Sequence, residues 1–288
     1  MVVSGGVQGC LIECSAQWWD QHMSTRTEQV MCVQTPEFTR HAERSEHPAG
    51  SIQRRAHDWL QPTFRPRLLY ASCASSPVSS PSCTSGVDED SPLAPQSPYA
   101  RTKAVCEEMF ADIAVVGPRV LSLRYFNPIG ADPKLRTGLQ LKRPSHTLGV
   151  LIQAHEEGRP FPVTGTDGLT RDGSGIRDYV HVWDLTAAHI AAIERFDSIL
   201  VGTKRSIAIN LGTGSGTTVR ELCAAFNDVV STPLVTIDTD RRPGDVTGSY
   251  TKSDRAAELL GWTPKLSLED GIRSALDWMP VRDKLLKD

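Results

Sequence analysis

The chain has 288 residues, 39% of them apolar and 23% charged, which is enough for a sizeable core and suggests two lobes more than one. A formal net charge of −3 leaves no global attraction for nucleic acid or an anionic membrane surface. No run reaches membrane-span length, Met1-Val-Val-Ser-Gly-Gly6 lacks the parts of a signal peptide, and the seven cysteines, without Cys-x-x-Cys, read as reduced cytoplasmic thiols and not as zinc ligands.

Val2 to Gly9 suggests a strand and a glycine turn, but Cys10 to Pro66 holds Trp18 and Trp19 among many Arg, His, Glu and Gln. No clear strand there ends in an acidic residue, and the region is expected to be poorly ordered. Arg67-Leu-Leu-Tyr-Ala-Ser-Cys-Ala-Ser75 reads as a short buried strand running into small polar residues. Ser76 to Pro95, rich in Ser and Pro, reads as a loop whose Asp88-Glu-Asp90 run is solvated.

Ser97 and Pro98 then open a helix, the first as N-cap and the second at a position that needs no backbone donor. Val105, Met109 and Ile113 recur every four residues, with Phe110 beside them, as an apolar stripe. Tyr99 and Lys103 share one helix face, one turn apart. An ammonium beside a phenol favours the phenolate, which would make Tyr99 a proton acceptor near neutral pH. A half-buried Tyr and a solvated Lys that merely share a face is the plain alternative, because Tyr-x-x-x-Lys is common by chance. Arg119 to Pro128 reads as another strand and a turn. Strand, loop, helix and strand make a parallel crossover unit whose site lies at the strands' carboxyl ends. Cys73 to Ser75, Tyr99 and Asn127 are expected to meet there.

Further on, Leu148 to Glu157 reads as a helix, Pro160 to Gly165 as a strand, and Val182 to Arg195 as an amphipathic helix. Ser206 to Leu211 is a strand, Gly212 to Gly216 a structural glycine turn, Val219 to Val229 a helix and Leu234 to Asp238 a strand. Ser253 to Leu260 and Leu268 to Trp278 are closing helices.

Six stretches together resemble the extended short-chain dehydrogenase/reductase family, in its NAD-dependent epimerase/dehydratase branch. They are Pro95-Gln-Ser-Pro-Tyr-Ala-Arg-Thr-Lys103, Leu123-Arg-Tyr-Phe-Asn-Pro-Ile-Gly130 and Asp172-Gly-Ser-Gly-Ile-Arg-Asp-Tyr-Val-His-Val-Trp-Asp-Leu185. Asn210-Leu-Gly-Thr-Gly-Ser-Gly216, Arg241-Arg-Pro-Gly-Asp245 and Glu258-Leu-Leu-Gly-Trp-Thr-Pro264 follow in the family's order. The resemblance implies an α/β fold: a Rossmann-like doubly wound parallel sheet, incomplete at the N-terminus, with a smaller α/β C-terminal substrate lobe. It implies a diverged segment over 1–66, the remaining NAD-binding part over 67–130, and mainly a UDP-sugar lobe over 131–288. In the family's Gly-x-x-Gly-x-x-Gly, Gly6 and Gly9 match the first two glycines, but Ile12 stands at the third. The first 66 residues therefore read as truncated, misspliced or diverged.

The implied reaction is interconversion of UDP-glucose and UDP-galactose through a 4-keto sugar with bound NAD. By resemblance, Tyr99 takes the proton of the sugar 4-hydroxyl and Lys103 holds the nicotinamide ribose. Cys73, or a neighbouring serine, stands where the family polarises the sugar oxygen, although a thiol is a weaker donor than a hydroxyl. Phe126 is implied against the nicotinamide, with plain core packing as the alternative. Asn127, Leu148, Arg177, Tyr179, Arg242, Asp245 and Ser249 are implied at the UDP-sugar, the arginines because a planar fork pairs with phosphate oxygens. Asp178 either orients Arg177 or forms a structural salt bridge with it, and His181 is a structural hydrogen-bonder. Partners are UDP-glucose and UDP-galactose, with no nucleic acid and no membrane, and a homodimer is an open option in a cytoplasmic protein. Two alternatives remain: a remnant that binds a UDP-sugar or a protein without catalysis, and a nucleotide-sugar dehydratase, which would need carboxylates where Ala74 and Ser75 stand.

Overall fold

Strand alternation decides which side chains of the central sheet meet which helices. The computed structural model describes residues 31–32, 67–73, 86–95, 97–241 and 247–285. In chain order these form β1 (Met31–Cys32), β2 (Arg67–Cys73), α1 (Pro98–Val116), β3 (Arg119–Tyr125), β4 (Asn127–Ile129) and α2 (Thr147–Glu156). Next come β5 (Phe161–Thr164), β6 (Ile176–Arg177), β7 (Tyr179–His181), α3 (Val182–Glu194) and α4 (Phe196–Ile199). The chain continues through β8 (Ser206–Leu211), β9 (Thr217–Thr218), α5 (Val219–Val229), β10 (Thr236–Thr239), α6 (Asp254–Leu260) and α7 (Leu268–Leu285).

The main sheet runs β1-β2-β3-β8, with β2, β3 and β8 parallel and β1 antiparallel at the edge. Leu69, Leu121, Leu123, Ile209 and Leu211 point to one face and pack with residues of α3 and α6. Leu68 and Val120 point to the other and pack with Ala114 and Phe110 of α1. Helices thus cover both faces, as parallel crossovers require. The expected parallel, doubly wound α/β arrangement is present. Apart from β1, the expectations made for residues 1–66, including the glycine turn at Gly6 and Gly9, lie outside the described residues.

A second apolar cluster joins Leu148 and Leu151 of α2, Phe161 and Val163 of β5, Leu222 and Phe226 of α5, and Ile272 of α7. The parallel pair β4–β7, with Asn127 opposite Tyr179, connects the end of β3 to this second cluster.

Three expectations need correction. The stripe Val105, Met109, Ile113 of α1 is exposed at 47%, 59% and 41%, so it is not the buried face. The buried face carries Ala100, Lys103 and Ala114, because the sheet opposite it offers Tyr70, Ser122 and Arg124 and selects polar as well as apolar partners. Helix α7 does not stop at Trp278 but runs through Pro280 to Leu285. Buried Trp278 and Arg282 anchor it, donating to the carbonyls of Leu139 at 2.7 Å and Leu141 at 3.3 Å, and this tertiary hold outweighs the proline's lost hydrogen bond. The third correction is the acidic run, which is not solvated throughout: the Glu89 side chain is 5% exposed.

Candidate active site

Helix α1 begins as its sequence dictates. The Ser97 hydroxyl accepts from the amide of Ala100 at 3.1 Å, and Pro98 occupies the first turn. This fixes the phase of the helix, leaving Tyr99 47% exposed while Lys103, one turn on, is 7% exposed against the sheet. The Lys103 ammonium lies 5.7 Å from the Tyr99 ring centroid and 5.6 Å from that of Tyr70 on β2. Two ring faces offer such a cation an electrostatic attraction that burial strengthens. Among the described residues no carboxylate pairs with it. The sequence reading overlooked Tyr70, whose only local signal was an aromatic residue alternating within the strand.

One further turn along this face, Glu107 forms an ion pair with Arg124 of β3, whose guanidinium also donates to the Glu89 carbonyl at 3.2 Å. Glu89 in turn accepts from the Asn210 amide at 2.8 Å, on the outer edge of β8. Arg255 donates to the Ala208 carbonyl on that same edge at 3.2 Å and to Asp90 at 3.0 Å. The loop 86–95 is therefore a strap: Glu89 satisfies an edge amide that a further strand would otherwise satisfy, and Asp90 holds the arginine that satisfies the neighbouring edge carbonyl.

Cys73 ends β2 opposite Tyr125, the last residue of β3. Phe126 follows, 7% exposed, and the Asn127 amide donates to the Asp178 carbonyl at 2.9 Å. Asn127, Asp178 and its neighbours Arg177 and Tyr179 are thus brought together. Arg177 donates through Nη1 to the carbonyls of Ile176 at 2.7 Å and Thr247 at 2.9 Å, which places it beside the segment carrying Ser249. Gly248 makes this approach feasible: it has φ +100, and a Cβ there would collide with Arg177 Nη1 and the Ile176 carbonyl.

Asp178 makes no ion pair or hydrogen bond with the Arg177 side chain. Its carboxylate accepts from Thr213 N at 2.9 Å, Thr213 Oγ1 at 2.7 Å and Thr251 N at 3.0 Å. Burial pushes its pKa up, against those hydrogen bonds. Tyr179 is a core residue whose phenol burial pushes up to about 12, so it stays protonated near neutral pH. Leu148 is a core residue of the second cluster, 1% exposed as a whole. His146 caps α2 by accepting from the Gly149 amide at 3.2 Å, and burial pushes its pKa down to about 4. His181 is structural as expected, with Nδ1 accepting from the Trp183 amide at 3.0 Å and Nε2 lying 3.0 Å from Ser274 Oγ. The turn at 212–216 is structural as well, through Thr213. The expectations for Arg242 and Asp245 lie outside the described residues, as does that for the Cys73 side chain.

Residues 50–212, more than half of the 288, match the family described as "NAD dependent epimerase/dehydratase family". The chain is 41% identical over 202 residues to a UDP-glucose 4-epimerase of Rhizobium meliloti (strain 1021), covering 69% of this chain and 60% of that protein. It is 41% identical over 195 residues to UDP-glucose 4-epimerase 3 of Oryza sativa subsp. japonica, covering 66% of this chain and 52% of that one. The UDP-glucose-4-epimerase of Stenotrophomonas maltophila, solved with bound NAD and formylated UDP-arabinopyranose, is similar with a TM-score of 0.68 and 33% identity, over 76% of this chain and 65% of that one. The UDP-glucose 4-epimerase of Bifidobacterium longum, in complex with NAD+ and UDP, gives 0.64 and 30% over 75% and 64%. The chain spans 60% or less of the length of these curated relatives.

Proposed function

The chain belongs to the NAD dependent epimerase/dehydratase family, and from that premise we propose that it interconverts UDP-galactose and UDP-glucose through a 4-keto sugar with NAD bound. The observation that carries this reading is Lys103: a buried ammonium, 5.7 Å from the Tyr99 ring centroid, with no carboxylate partner among the described residues. A buried cation of this kind fits a ribose hydroxyl, so the residues present suit NAD at this point. When bound, NAD supplies a hydride acceptor and donor for the sugar carbon.

The chain's own residues do the rest. Tyr99 takes the proton from the sugar 4-hydroxyl and returns it to the same oxygen after the sugar has presented its other face. Lys103 would hold the nicotinamide ribose and is the cation beside that proton acceptor. With NAD bound, Phe126 would be the aromatic neighbour of the nicotinamide, and Cys73 would polarise the reacting sugar oxygen. Asn127, Leu148, Arg177, Tyr179, Arg242, Asp245 and Ser249 hold the UDP-sugar. In this reading 67–130 supplies the cofactor side and 131–288 mainly the sugar-nucleotide side.

A second copy is proposed to dock on the exposed stripe of α1, where Val105, Met109 and Ile113 continue into Val116, 78% exposed. No described helix is long and apolar enough to cross a membrane, and the cytoplasmic location expected from the sequence is part of the same proposal.

The test is made on the purified full chain: NAD released on denaturation is assayed while UDP-galactose conversion is followed. The expected result is NAD near one per chain, with turnover lowered about 10²–10⁴-fold in Tyr99→Phe and NAD content retained. A folded chain with neither NAD nor turnover refutes the reading.

A further inference from the structure

We propose that Asp178 is a positioning residue which, acting through Thr251, makes the sugar-nucleotide side of the site and the chain that opens α1 move as one unit. The two sides are those assigned in the proposed function, so the inference rests on that reading.

The geometry begins at the junction of β6 and β7. Asp178 sits between Arg177 and Tyr179, fully buried, with both carboxylate oxygens engaged: Oδ1 by Thr213 N and Oγ1, Oδ2 by Thr251 N at 3.0 Å. Among the described residues no Lys or Arg forms an ion pair with it. A buried carboxylate without a cation is costly, and here neutral donors alone hold it. Its chemistry suits the task, because donors approach both oxygens. An asparagine would turn an NH₂ group towards one of them. The close approach also needs Gly212, where a Cβ would collide with both the Asp178 carboxylate and the Thr251 methyl.

Thr251 is the second part of the device. It is fully buried, and its hydroxyl lies 3.0 Å from the Val87 carbonyl and 2.8 Å from that of Lys252. Val87 and Thr251 form a parallel bridge: the Val87 amide donates to the Tyr250 carbonyl at 2.8 Å, and the Lys252 amide donates to the Val87 carbonyl at 2.8 Å. Val87 lies in the strap that Glu89 seals on β8 and that leads into the Ser97 cap, Tyr99 and Lys103. On the other side, Thr251 is two residues from Ser249, and Thr247 accepts from both the Arg177 guanidinium and the Ile176 amide. One carboxylate therefore fixes the segment beside Arg177 and, through Thr251 and the backbone of its neighbours Tyr250 and Lys252, the approach to Tyr99. Contiguous hydrogen bonds within buried, rigid elements are one physical means of coupling two parts of a site.

The experiment is hydrogen–deuterium exchange with peptide-level mass spectrometry on the full chain, as wild type, Asp178→Asn and Thr251→Val, each with and without UDP. Without UDP, Asp178→Asn is expected to raise exchange about tenfold in both 247–252 and 86–95, leaving α5 and α7 at wild-type rates. Thr251→Val, which keeps the amide and loses the hydroxyl, is expected to raise exchange in 86–95. With UDP, wild-type protection is expected to extend from 175–180 into 86–95, and in Asp178→Asn to stay confined to 175–180, an effect that general loosening would not produce. Unchanged exchange of 86–95 in either variant, or a uniform rise over the whole chain, overturns the proposal. If Asp178→Asn does not fold, Thr251→Val decides by the same criterion. UDP that protects no segment of the wild type refutes the sugar-nucleotide reading, a result distinct from the ligand-free exchange at 86–95.

Discussion

Glu89→Ala should destabilise the chain although it changes a residue in an acidic surface run. The carboxylate accepts from the Asn210 amide at 2.8 Å, and Asn210 is 2% exposed on the outer edge of β8. Removing a charged acceptor from a buried amide costs about 1.5–3 kcal/mol. The Arg255 contact, 3.8 Å long with the arginine 27% exposed, adds about 0–1 kcal/mol after screening. The sum is about 2–4 kcal/mol, equivalent to a melting temperature lower by roughly 5–15 °C for a domain of this size. Glu89→Gln keeps an acceptor oxygen and should lose only about 1 kcal/mol. Asp90→Ala is the internal control: its side chain is 84% exposed, so despite its contact with Arg255 it should change stability by no more than about 0.5–1 kcal/mol. Thermal unfolding followed by circular dichroism, with urea midpoints alongside, separates the three. If Glu89→Ala melts together with Asp90→Ala, the strap does not seal the sheet edge and the reasoning is refuted.

Three other predictions concern separate parts of the molecule. Gly248→Ala forces a side chain into a backbone at φ +100 and against Arg177, and should weaken UDP binding about tenfold or more by calorimetry; wild-type affinity would count against Arg177 as a phosphate ligand. His146, at about 4 in the folded chain against 6.5 for the free side chain, stays neutral where the unfolded chain takes up a proton. Stability present above pH 6.5 is therefore lost as pH falls from 6.5 towards 4, by up to about 3 kcal/mol. His146→Asn, which keeps a cap acceptor and does not titrate, should flatten that acid limb in denaturant midpoints, and an unchanged limb would contradict it. Met109→Glu should shift sedimentation from dimer to monomer with little change in melting temperature; a wild type that sediments as a monomer removes the proposed α1 interface.

Much of the site was legible in the sequence because helix starts, strand ends and their spacing are local properties. Ser97 and Pro98 announce α1, and the four-residue spacing places Tyr99 and Lys103 one turn apart whatever surrounds them. The ranges read for β8, Ser206–Leu211, and α5, Val219–Val229, coincide with the structure. The roles of Glu89 and Asp178 were not legible, because their hydrogen-bond donors come from Asn210, Thr213 and Thr251, far away in the chain.

The sequence by itself determined the order and type of the longer elements, and the pairing of a tyrosine with a lysine at the mouth of a parallel crossover. Only the tertiary structure decided which face of α1 turns inward. Val105, Met109 and Ile113 form the more apolar stripe, yet Lys103 and Ala114 are the buried residues, because Tyr70, Arg124 and Leu68 lie opposite them. Periodicity states that a face is apolar, but burial depends on what another part of the chain brings against it. The same holds for Pro280, which would end an isolated helix but lies within α7 because Trp278 and Arg282 are anchored on either side.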